Sequence, residues 1–131
     1  MANPNIANVT SIHGESIGEA LTTTVTTDIM TVAADKLVKI NSIIITNTHA
    51  TNATAVTVSI VKAGFTSAGI GASEDNAGTF KLASTMNIPA DDSLVLIDKP
   101  IYLMEGDVLR GGASASSVLE LFASYEVIND A

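Results

Sequence analysis

Val56, Val58 and Ile60 alternate with Thr57 and Ser59, the two-residue period of a strand that has one dry and one wet face. The same reading predicts strands over residues 22–32, 37–48, 55–61, 79–87, 94–97, 101–103, 107–113 and 118–128. Between them stand turn-forming clusters such as Ala90-Asp-Asp and Glu105-Gly-Asp. Pro89 and Pro100 fall at strand margins, where a missing amide donor does no harm to a ladder. About eight short strands at this spacing predict an all-β domain, a single antiparallel β-sandwich or jelly-roll-like barrel. Residues 1–20 break the pattern with Pro4, Gly14 and Gly18, so they are expected to form an extended N-terminal arm ahead of a sandwich over residues 21–131.

Several strands are apolar on consecutive residues: Ile43-Ile-Ile45, Leu94-Val-Leu-Ile97, Ile101-Tyr-Leu-Met104 and Leu121-Phe122. An antiparallel sandwich normally leaves one face of each sheet wet. Runs of this kind imply that the second face is covered as well, by the arm, by a loop or by a neighbouring subunit. The arm carries Ile6, Val9, Ile12 and Ile17, too apolar for a solvated tail, and these become candidate interface residues. Phe122 joins them, because it faces away from a core that takes Leu119, Leu121 and Ala123. Phe65 and Ile70 complete the set from the long loop over residues 64–78, which holds four of the nine glycines.

Composition narrows the picture. A chain of 131 residues suits one domain. With 4% aromatics and no Trp, its core must be built from Val, Ile, Leu and Ala, and fifteen Thr add to the β lean. The formal charge of −8, from 14 acidic and 6 basic residues, argues against a phosphate-neutralising surface and so against nucleic acid as a partner. With no Cys there are no disulfides and no thiolate metal sites. No apolar run reaches the length of a spanning helix, and the start lacks the basic and apolar regions of a signal peptide, so neither a membrane nor export by that route is expected.

Candidate chemistry is thin. Gly69-Ile-Gly71 is not followed by the Lys-Ser/Thr pair of a phosphate loop. His13 and His49 are not at metal-ligand spacing, and they read as arm and hairpin residues. Glu74-Asp75, Asp91-Asp92 and Glu105-Gly-Asp107 could offer oxygen ligands to Ca²⁺, but without EF-hand spacing they read as solvated turns. Serines are plentiful without a nucleophile-elbow motif, and Arg110 reads as one half of a surface ion pair. The expectation is a protein without catalytic residues, metal or cofactor.

The stretch from Ile88 to Glu126 carries a pattern of a different kind. It runs Ile88-Pro-Ala-Asp-Asp-Ser-Leu-Val-Leu, then Pro100-Ile-Tyr-Leu-Met-Glu-Gly-Asp-Val-Leu-Arg110, and closes on Leu119-Glu-Leu-Phe-Ala-Ser-Tyr-Glu126. This resembles small β-sandwich structural proteins from the virions of tailed bacteriophages, and Lys39–Asn47 shares the likeness. The resemblance implies a non-enzymatic virion protein made in the host cytoplasm, most simply a decoration or cement protein on the outer capsid surface. Its partners would be the major capsid protein or other virion proteins, together with further copies of itself, a trimer being favoured. Alternatives are an accessory subunit of the neck, tail or fibre, or a carbohydrate- or receptor-binding sandwich module that uses the 64–78 loop.

Overall fold

A computed structural model describes residues 9–64 and 77–129. The fold is all-β, as the sequence predicts. Its strands are β1 (Ser11–Ala20), β2 (Asp28–Thr31), β3 (Lys36–Asn47), β4 (Thr54–Lys62), β5 (Gly78–Ile88), β6 (Ser93–Ile97), β7 (Ile101–Leu103), β8 (Val108–Ala113) and β9 (Leu119–Asn129). They form two antiparallel sheets. One has the order β1-β9-β3-β6 with β7 also paired to β3, and the other has the order β2-β8-β4-β5.

The sheets face one another across a core of aliphatic side chains. Ile40, Ile43 and Ile45 of β3, Leu121 and Ala123 of β9, Val56 and Val58 of β4 and Leu109 of β8 are all fully buried there. These residues alternate along their strands, so the two-residue period places them on one face. In β3 the alternation is interrupted once. The register with β9 shifts between Ile40 and Ser42, so Val38 and Ile40 before the bulge and Ile43 and Ile45 after it all turn inward. Every fully buried β-branched or leucine side chain contributes roughly 1.5–3 kcal/mol relative to exposure, and this layer is where the fold gains most of its stability.

The N-terminal segment departs from the sequence reading. Residues 11–20, expected as part of an irregular arm, are a regular strand in register with β9 from Ser11↔Asn129 to Ala20↔Glu120. The strand exists because β9 offers it a full ladder of backbone partners, which outweighs the weak β propensity of Gly14 and Gly18. Leu21, just beyond it, is buried in the core, and its amide donates to the Leu119 carbonyl at 2.9 Å. Between β1 and β2, residues 22–27 cross from one sheet to the other, where a strand over 22–32 was expected. Thr27 closes this crossing by donating its hydroxyl to the Thr24 carbonyl at 2.7 Å.

Candidate functional site: the outer face of the five-stranded sheet

Most of the consecutive apolar runs pair an outward residue with one that is buried or packed partly buried on the core, while Leu96 and Ile97 both pack partly buried on it. Ile44 lies between Ile43 and Ile45 and faces out, opposite Phe122 on one side and Val95 on the other. Tyr102 faces out between Ile101 and Leu103, opposite Lys39. Phe122 is 53% exposed, Val95 56%, Tyr102 49% and Ile44 38%, so in the isolated chain this face is not dry. Gly18 completes the row opposite Phe122, whose ring edge would sit 3.5 Å from a Cβ at that position. The aromatic side chain therefore lies over the glycine of the edge strand and shields backbone that has no side chain of its own.

Around this row the surface carries little charge. Gly14, Ser16, Ser42, Thr46 and Ser124 share the outward register, and the charged residues among them are Glu120 and the half-exposed pair Lys39–Glu126, whose N–O distance is 3.5 Å. In a chain of net charge −8 this is a charge-poor face. Depletion of charge around a few large apolar side chains is the composition of an interface centre.

Among the candidate residues, Phe122 and Ile12 are outward and exposed, Ile12 to 57%. Ile17 turns the other way and packs against the domain's own core, and Val9 is half-buried ahead of β1. Ile6, Phe65 and Ile70 lie outside the described residues. The sequence reading missed Ile44, Val95 and Tyr102 as individual outward positions. Their signal was present in the doubled apolar runs, but the bulges between Ile40 and Ser42 and between Ile43 and Ile44 set which member of each run faces out.

The acidic turns hold local structure. Asp107, expected in solvent, is 1% exposed. Its Oδ2 accepts from Lys62 Nζ at 2.5 Å and from the Met104 amide at 2.8 Å, and its Oδ1 accepts from the Ala63 amide at 3.1 Å. Gly106, at φ 84°, makes the turn that aims this carboxylate inward. Glu105 accepts the Asp35 amide at 2.9 Å, and Asp92 accepts the Ser93 amide at 2.8 Å. Arg110 pairs with Asp28, in line with its expected ion-pair role. His49 uses Nδ1 to accept the amides of Thr51 and Asn52 at 3.1 and 3.0 Å, which folds the connection between β3 and β4. Among the described residues there is no group of three metal-ligating side chains.

A cleft of about 250 Å³ opens between β1, β9 and the β2 edge, lined by Glu15, Met30, Val32, Lys36, Val38 and Tyr125 among others. The Tyr125 hydroxyl donates to Glu15 Oε1 at 3.2 Å. Burial, and then the hydrogen bond to and negative charge of Glu15, hold the phenol above its ordinary pKa of 10.0. Lys36 Nζ donates to Asn129 Oδ1 at 3.2 Å.

The class defined by this architecture is the antiparallel β-sandwich. No family model matches the chain, and no curated protein matches it either. Among solved structures, a Bacillus endospore appendage from the work titled "Bacillus endospore appendages form a novel family of disulfide-linked pili" aligns over 100% of this chain and 96% of its own, at 12% identity and a TM-score of 0.46.

Proposed function

We propose that this chain is a non-catalytic structural subunit of a tailed-phage particle, a decoration protein seated on the capsid surface by the outer face of its five-stranded sheet. The observation that carries the reading is the exposed row Phe122, Ile44 and Val95, bordered by small residues and by few charged ones. Such a row favours contact with another protein surface over contact with water. The virion assignment itself draws on the likeness of Ile88–Glu126 to phage structural proteins, a stretch that runs from the end of β5 through most of β9. Weak contacts made by many copies on a symmetric shell become effective through avidity.

The test is binding of the purified protein to capsids that lack it, compared with Phe122→Glu. The charge should raise the dissociation constant for the particle at least about tenfold, the effect of losing roughly 1.4 kcal/mol. It should leave the far-ultraviolet β spectrum intact, because the side chain points away from the core. Equal loading of the variant and the wild type would reject this face as the seat. Absence of binding by the wild type would reject the capsid role.

A further inference from the structure

We propose that the cleft between β1, β9 and the β2 edge is a pocket for one lysine side chain of a partner protein, with the ammonium seated on Glu15. On the core face of the five-stranded sheet, Ile17 lies opposite Ala123 and packs on the core. The two-residue period puts Glu15 on the same face, opposite Tyr125, which in turn lies opposite the fully buried Ile40. A carboxylate therefore stands on the face that the sandwich otherwise fills with aliphatic side chains, and it is exposed there at the mouth of the cleft.

Glu15 has bonding capacity to spare. Its Oε1 accepts from the Tyr125 hydroxyl, and no described residue occupies Oε2 or forms an ion pair with this carboxylate. The phenol, held above its ordinary pKa, stays a donor at neutral pH, so it fixes one carboxylate oxygen and leaves the other for a ligand. Behind the carboxylate the lining is apolar: Val38 and Val127 of the five-stranded sheet, with Met30 and Val32 from the β2 side. A cationic head on a methylene stem matches both parts, the head on the carboxylate and the stem along the aliphatic walls. The net charge of −8 adds attraction at longer range. One open oxygen suits an ammonium, a point charge, better than a guanidinium, whose fork is best satisfied by two oxygens. At about 250 Å³ the cleft admits a single side chain, and a helix roughly 10 Å across would not enter.

Lys36 sets the other limit. It lines the same cleft from the far end, opposite Asn129, two strands across from Glu15 and four residues along β9 from Tyr125. Strand spacing and rise put the Glu15 and Lys36 Cα atoms about 16 Å apart. The Lys36 ammonium bonds Asn129 and pairs with no carboxylate among the described residues. A positive charge at that end disfavours a ligand that carries a second cation. A free diamine therefore fits worse than a lysine side chain, whose stem ends in neutral peptide. The cleft is on the core side of the sheet and the Phe122 row is on the outer side, so this inference does not rest on the capsid reading.

The probe is Nα-acetyl-lysine N-methylamide, titrated against the full chain while amide and methyl resonances are followed by NMR. One side chain and one ion pair should bind with a dissociation constant of about 1–10 mM, and the shifts of Val38, Tyr125 and Val127 should saturate together. The norleucine analogue, an aliphatic stem without the ammonium, should bind wild type at least tenfold more weakly. Glu15→Gln should weaken the lysine probe at least tenfold with the β spectrum unchanged. Diaminopentane should bind wild type less tightly than the lysine probe, and Lys36→Gln should narrow that gap. The absence of a saturable shift at these residues, equal binding of the norleucine analogue, or a Glu15→Gln protein that keeps the wild-type affinity overturns the proposal. Tighter binding of diaminopentane than of the lysine probe would assign the cleft to free amines and overturn it equally.

Discussion

At the scale of single residues, burial decides what a polar group can do. Asp107 is a carboxylate inside the protein, held by two amides and the Lys62 ammonium, whose side chain is itself 15% exposed. Removing one partner of a buried pair costs about 3–5 kcal/mol, and here it also strands the Ala63 and Met104 amides. Asp107→Ala should therefore lower the denaturation midpoint strongly in urea titrations, and a loss under about 1 kcal/mol would count against the clamp. Tyr125 gives a test in pH. Its phenol is raised above 10.0, so the unfolded chain loses this proton first. The associated stability is complete below about pH 10 and is lost as pH rises through the higher folded value. Ultraviolet titration in a Tyr102→Phe background should show the phenolate forming above pH 10. Glu15→Gln should bring it down part of the way, because burial, the largest cause, remains. Neither arrangement was legible in the sequence. Lys62 and Asp107 are 45 positions apart, and an Asp in a Glu-Gly-Asp turn reads as solvated until the fold shows which way the turn points.

At the scale of elements, alternation was the reliable guide. β7 falls where the sequence places it, and β3, β4 and β9 differ by about a residue at each end, because β-branched residues at a two-residue period leave little room for another reading. β1 was not legible, since an edge strand with Gly14 and Gly18 draws its order from the backbone of β9 and not from its own side chains. That origin sets the expectation for truncation. Deleting residues 1–20 removes a ten-residue ladder worth about 0.2–1 kcal/mol per cross-strand pair, and with it the packing of Ile17 on the core. The melting temperature should fall by at least about 10 °C. A truncated chain that melts with the full-length protein would mean that the β1–β9 ladder contributes nothing to stability. Gly112 is legible only in the fold as well. A Cβ there would meet the Thr24 carbonyl oxygen and the Val25 Cα at 2.7 Å, so the residue 22–27 crossing depends on its absence.

At the scale of the whole molecule, the sandwich was readable and the partition of strands between its sheets was not. Strand periodicity says which face is buried and nothing about which strand lies beside which. The order β1-β9-β3 puts a strand from late in the chain between two from its beginning. During synthesis, β3 emerges long before β9, with Ile43 and Ile45 on a strand whose main partner has not yet been made. β1 waits for the same partner. Closing that loop of about 80 residues costs entropy before any contact repays it, so the β1-β9-β3 part of the five-stranded sheet forms late. Until then the nascent chain presents an open apolar strand, a pairing template for any neighbouring copy on the same message. The yield of folded protein should then depend on how quickly the last strand leaves the ribosome as well as on how stable the finished sandwich is.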